Sequence, residues 1–237
     1  IGLIGHSEGG LIAPMVAARR DEIAFIVSLA GTGVNGKEIL LSQGKLLLKA
    51  EGVQDESKLK MQRDTQLSLI EAILNASSET PKEKIVSDAL ARFDVSGSKA
   101  ISLEATKEED KTKAEDALKV AFAAGVDQLN SPWFRFFLTY EPSESLAKVK
   151  CPLLALNGEK DAQVAPDLNL PAIKSALEKG GNSRFELVEL PSLNHLFQTC
   201  KTGGLSEYQT IEETVAPVVL NKVTDWIQAT LKSRVPK

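Results

Sequence analysis

Gly5-His6-Ser7-Glu8-Gly9 follows the apolar run Ile1-Gly2-Leu3-Ile4 and opens onto Gly10-Leu11-Ile12-Ala13-Pro14-Met15-Val16-Ala17-Ala18-Arg19-Arg20. This is a G-x-S-x-G pattern between a strand-like run and a helix-like run. Glycines on both sides of a serine let the chain turn so sharply that the hydroxyl stands above the sheet. The turn also sets the serine at a helix N-terminus, where free N–H groups favour developing negative charge. The implied chemistry is nucleophilic attack on a carbonyl carbon. With 16 glycines in 237 residues, chance alone gives roughly 0.1 copies of the pentapeptide, so the pattern needs partners elsewhere in the chain.

Histidine is scarce: only His6 and His195 occur. A nucleophilic serine needs a base within hydrogen-bond reach. His6 adjoins Ser7, and a sharp turn sends its side chain elsewhere, which leaves His195. His195 lies in Leu190-Pro191-Ser192-Leu193-Asn194-His195-Leu196-Phe197, just after the strand-like run 185–190. In open α/β sheets ligands gather at such strand ends. A carboxylate must then orient the imidazole. Cys151-Pro152-Leu153-Leu154-Ala155-Leu156-Asn157-Gly158-Glu159-Lys160-Asp161 reads as a buried strand, a glycine turn and two acids. Asp161 is preferred over Glu159, and both could also be solvated loop charges. The chain order Ser7, Asp161, His195 is nucleophile, acid, base.

On these three segments the chain resembles the α/β-hydrolase family, in particular bacterial carboxylesterases with a helical lid. The resemblance rests on residues 1–33 and 146–237 and is weaker between them. It implies an α/β-hydrolase core, a mostly parallel sheet in its C-terminal part, carrying an inserted all-helical lid. The expected domains are core at 1–33, lid at 34–148 and core again at 149–237. It further implies ester hydrolysis through an acyl-enzyme, with catalytic Ser7, Asp161 and His195, the backbone N–H of Glu8 as an oxyanion donor, and neither a metal nor an organic cofactor. The family's second oxyanion donor comes from a loop well before the elbow, outside this sequence. Loss of one such donor costs about 10²–10³ in rate. Thioester hydrolysis, amide or aminopeptidase-like cleavage, and a catalytically silent fold serving as a binding module remain open alternatives on the same residues.

The composition fits one sizeable domain or a domain with a cap. Apolar residues make up 43%, charged residues 25%, and the net charge is −4. Nothing there points to a nucleic-acid partner, and no run has the length of a membrane span. Two cysteines and two scattered histidines match no zinc pattern. Cys151 and Cys200 are expected at opposite ends of the sheet as thiols, which points toward a reducing, cytoplasmic compartment. The absence of a leader-like segment and a chain beginning inside a strand read as an N-terminally truncated product. Its exposed N-terminal strand edge is expected to favour self-association.

Ile23–Leu29 reads as a buried parallel strand. From Val34 to Lys148 the period turns helical. Leu59, Gln62, Gln66, Leu69, Ile70, Ile73 and Leu74 share a face, and Thr80-Pro81-Lys82-Glu83 reads as an N-cap with proline in the first turn. Further helices are expected at 108–124 and from Ser131. Trp133, Phe134 and Phe137 belong to a bulky apolar cluster at 133–138, read equally well as an acyl pocket or as lid packing. The core then resumes with strand 153–157, helix 168–179, strand 184–190 and helix 215–231.

Overall fold

The computed structural model describes residues 1–96 and 108–232. Residues 97–107 of the expected helical insertion, and the last five of the chain, lie outside the described residues. The chain divides into two compact units: residues 1–51 with 141–237, and residues 52–140.

The first unit is built on a four-stranded sheet ordered β1 (Gly2–His6), β2 (Phe25–Leu29), β3 (Leu153–Gly158), β4 (Phe185–Leu190). Every pairing is parallel, with Ile4 opposite Val27, Val27 opposite Leu154, and Leu156 opposite Val188. Burial follows position. All six residues of β3 and the first four of β2 are buried, which is why these strands read as unbroken apolar runs. Both faces of the sheet are covered. Ile26, Leu153 and Ala155 pack on one face with Ala13 and Ala17 of α1 (Glu8–Ala17) and with Ile173 and Leu177 of the helix Pro166–Lys179. Val27, Leu154 and Leu156 pack on the other with Val219, Val223 and Trp226 of the helix Pro217–Lys232. The Trp226 ring meets Phe25 edge-on at 6.1 Å. Each such side chain taken from water contributes about 1.5–3 kcal/mol.

Between α1 and the rest of the chain runs α2 (Gly36–Ala50), capped by Asn35, whose side chain accepts the Glu38 N–H at 3.0 Å. α2 groups with the sheet, as does the short helix Pro142–Leu146. The second unit holds α3 (Glu56–Asn75), α4 (Lys82–Val95), α5 (Glu108–Leu129) and α6 (Pro132–Thr139). The expected α3 face is observed in Leu59, Leu69, Ile70 and Ile73, all buried. Phe93 of α4 and Phe122 of α5 meet edge-on at 6.3 Å in the centre of this unit.

One boundary differs from the sequence reading. Pro81, not Thr80, is the N-cap residue of α4. Residues 77–80 close a turn of their own, in which the Thr80 hydroxyl accepts the Ser77 N–H at 3.0 Å. With its hydroxyl turned back onto Ser77, Thr80 does not cap the helix that follows.

Candidate active site

Ser7 joins β1 to α1. Its φ of 53° lies in the left-handed region, a conformation that costs a non-glycine residue about 1–3 kcal/mol and persists only where its surroundings enforce it. The Ser7 N–H donates to the Leu29 carbonyl at 2.8 Å, and the Ser7 carbonyl accepts from Gly10 at 2.9 Å. The turn is tight enough that a Cβ on Gly5 would lie 2.0 Å from the Gly9 carbonyl oxygen, which accounts for the first glycine of the pattern. The Ser7 hydroxyl makes no capping bond to α1, so its oxygen is not consumed by the helix. Ser7 is the N-cap residue of that helix, and Glu8 is its first residue. The Glu8 backbone N–H therefore belongs to the first turn, where N–H groups lack intrahelical acceptors.

α1 also carries Pro14, which has no N–H to donate to the Gly10 carbonyl one turn earlier. The Ser28 hydroxyl of β2 reaches that carbonyl at a long 3.5 Å. The helix lies so close to the loop after β2 that a Cβ on Gly10 would meet the Gly31 Cα at 2.6 Å. The elbow is thus set by contacts from the neighbouring strand as well as by its own glycines.

Asp161 follows β3 and His195 follows β4. The His195 Nδ1 lies 2.9 Å from Asp161 Oδ2, and both side chains are almost wholly buried. The other carboxylate oxygen, Oδ1, accepts the backbone N–H groups of Gln163 at 2.9 Å and Val164 at 2.8 Å. Asn157, at the end of β3, donates to Oδ2 at 3.3 Å and to the Val164 carbonyl at 2.8 Å. These donors fix the carboxylate in one orientation and compensate its burial. Glu159, the competing acid, is used elsewhere: its Oε2 accepts the Ser192 N–H at 2.7 Å.

The loop carrying His195 is shaped by a residue that sequence reasoning quoted but gave no role. Asn194 is fully buried. Its Oδ1 accepts the N–H groups of Leu196 at 3.0 Å and Gln198 at 2.9 Å, and its Nδ2 donates to Gln198 Oε1 at 3.0 Å. Asparagine directly before a loop histidine is a signal for such a side-chain turn. His6, expected to point away from Ser7, reaches the His195 loop. Its Nε2 lies 2.8 Å from the His195 carbonyl oxygen, and the two rings are 4.8 Å apart. His6 ends β1, so its side chain reaches the loop beyond the sheet and ties the elbow to it.

The structure therefore brings Asp161 and His195 into contact and links the residue before Ser7 to His195. Trp133, Phe134 and Phe137 lie on α6 in the second unit, where Phe134 and Phe137 meet edge-on at 6.3 Å and Trp133 packs on Phe136 at 5.5 Å. Cys151 and Cys200 are both buried and form no disulfide with each other, and burial pushes the Cys200 thiol up. No helix among the described residues is long and apolar enough to cross a membrane.

A family model described as BAAT / acyl-CoA thioester hydrolase C terminal matches residues 1–117. That match covers the elbow, and the parallel sheet with its strand–Ser7–helix turn, acid after β3 and histidine after β4 has the family's arrangement. The fold resembles that of the α/β-hydrolases. The comparison with curated proteins finds no match. Among solved structures, this chain is similar to a carboxylesterase from the thaumarchaeon Nitrososphaera gargenis, with 15% identity over 98% of this chain and 66% of that one and a TM-score of 0.45. It is also similar to an acetylester hydrolase from Corynebacterium glutamicum, with 14% identity, 94% and 60% coverage and a TM-score of 0.43. A thermophilic esterase from Thermogutta terrifontis shows 16% identity, 97% and 65% coverage and a TM-score of 0.41. The chain thus spans 60% to 66% of the length of these three proteins.

Proposed function

We propose that this α/β-hydrolase is a serine hydrolase that cleaves acyl esters through an acyl-enzyme. The observation that carries the reading is the buried 2.9 Å contact between His195 Nδ1 and Asp161 Oδ2, with the other ring nitrogen left for a nucleophile. Ser7 attacks the ester carbonyl while His195 takes its proton. The tetrahedral oxyanion is stabilised by the Glu8 N–H at the start of α1. As the intermediate collapses, His195 returns the proton to the leaving alcohol, and water repeats the sequence on the acyl-enzyme. Asp161 holds the imidazole in the tautomer with the proton on Nδ1 and stabilises its cationic form.

A second reading keeps the residues and changes the leaving group to a thiol. It is favoured by the match of residues 1–117 to the acyl-CoA thioester hydrolase model. Steady-state kinetics on matched acyl p-nitrophenyl esters and acyl thioesters, with Ser7→Ala as control, test both. Turnover of esters lost in Ser7→Ala supports the first reading, and a kcat/KM higher for the thioester of the same acyl group supports the second. Turnover of either class that survives in Ser7→Ala refutes the proposal.

A further inference from the structure

The loop that carries His195 leaves the sheet at β4, whereas the elbow stands at the end of β1, the opposite end of the strand order. Neighbouring strands lie about 4.8 Å apart, so the loop crosses about 14 Å of strand ends to reach the elbow. Its base is tied to the neighbouring loop, where the Leu193 carbonyl accepts the Lys160 N–H at 2.9 Å. Its shape is set from within. The Asn194 N–H donates to the Gln198 carbonyl and the Phe197 N–H to the Asn194 carbonyl, both at 3.0 Å. The Ala216 N–H donates to the Phe197 carbonyl at 2.8 Å. None of these bonds reaches the elbow.

His6 does. It closes β1 opposite Leu29, and its Nε2 donates to the backbone carbonyl of His195 itself at 2.8 Å. A carbonyl oxygen carries no proton, so the proton of this bond sits on Nε2 of His6 whatever the state of Nδ1. The two rings are tilted by 47° at 4.8 Å, and the His6 ring meets Phe197 edge-on at 6.2 Å. Ser7 is the next residue in the chain. One hydrogen bond therefore joins the neighbour of the proposed nucleophile to the backbone of its proposed base. Asp161 fixes which way the imidazole turns, and the His6 bond fixes how far the His195 backbone stands from the elbow. That distance matters, since misplacement of about 1 Å costs on the order of 100-fold in rate.

We propose that His6 is a positioning residue, whose Nε2–H holds the far end of the His195 loop at the separation from Ser7 that proton transfer requires. The inference rests on the serine-hydrolase reading for its catalytic consequence, but not for the placement of the loop. The His6 side chain is exposed, so replacing it should leave the chain folded. Three variants of the full chain separate the bond from the ring. His6→Gln sets an amide nitrogen as many bonds from Cα as the imidazole Nε2, His6→Asn falls one bond short, and His6→Phe keeps a ring but has no donor. On a p-nitrophenyl acyl ester, His6→Asn and His6→Phe should each lower kcat by about tenfold, the effect of a shift well short of an ångström. KM should change less than about twofold, and His6→Gln should recover kcat to within about threefold of the unmodified chain. In a His195→Ala background, adding His6→Asn should cost nothing further, because His6 acts through His195. A second readout needs no turnover. Solvent exchange of the His195 Nδ1–H, followed as a downfield proton resonance, should accelerate by about fivefold in His6→Asn but not in His6→Gln, the loss of one hydrogen bond. Absence of ester and thioester turnover in the unmodified chain refutes the hydrolase reading and leaves the exchange rate to judge the placement of the loop. Equal kcat in His6→Gln and His6→Asn, a His6→Phe as active as the unmodified chain, or an exchange rate that His6→Asn leaves unchanged overturns the role of His6.

Discussion

Ser7, Asp161 and His195 differ in how much of their geometry their neighbours dictate, and substitution should show this. On the proposed triad, Ser7→Ala, His195→Ala and Asp161→Asn should each reduce kcat by about 10³ or more, and pairs should lose little beyond the worst single variant, as residues acting as a unit do. Glu159→Gln is the control. Its carboxylate holds the Ser192 N–H rather than His195, so kcat should fall less than about threefold, the effect of weakening one exposed hydrogen bond. A severe Glu159→Gln beside a mild Asp161→Asn would reverse the assignment. Gly5→Ala tests the elbow itself. The added methyl would lie 2.0 Å from a backbone carbonyl oxygen, which no side-chain movement relieves. A destabilisation of about 1–3 kcal/mol is expected, in the range of overpacked sites, read as a shifted midpoint in urea unfolding with unchanged slope.

The loop 200–208 carries the clearest pH dependence among the elements. Three N–H donors hold the Glu207 carboxyl below the usual carboxylate range, with burial opposing them. A depressed folded pKa contributes stability that is present above the unfolded value of about 4.3 and lost as pH falls through the lower folded value. Limited proteolysis should therefore leave this loop intact at neutral pH and cut it progressively below about pH 4, and Glu207→Gln should be cut at neutral pH as well. Equal protection at pH 3 and pH 7 would contradict this. The same element marks where sequence reading stops. β2 and β3 were legible because both faces are buried and the strands read as apolar runs. The places of Asp161 and His195 in loops after β3 and β4 were legible from the strand-like runs before them. The hydrogen bond from Gln163 to Tyr208 was not, since the stretch from Cys200 to Pro217 has no period. Thr80 was assigned to the wrong structure for a related reason: a local turn competed for its hydroxyl, and pattern alone does not rank the two.

Across these 237 residues, the sheet runs out to a strand with little protection. β1 stands at one end of the strand order, Ile1 and Ile4 are 80% and 58% exposed, and Gly2–His6 contains neither lysine nor proline. Edges of this kind invite pairing with another chain. The 237-residue chain should associate at micromolar concentration, and Ile4→Lys should shift it toward monomer in size-exclusion chromatography with light scattering; a monomer that Ile4→Lys does not change would contradict this. The proposed nucleophile is one oxygen, the Ser7 hydroxyl at the elbow before α1. Its most direct test is covalent trapping with an alkyl fluorophosphonate, followed by intact mass and peptide mapping. The expected result is one adduct per chain on the peptide containing Ser7, abolished in Ser7→Ala and strongly slowed in His195→Ala. An unmodified chain after prolonged exposure, or an adduct on another serine that persists in Ser7→Ala, would contradict it.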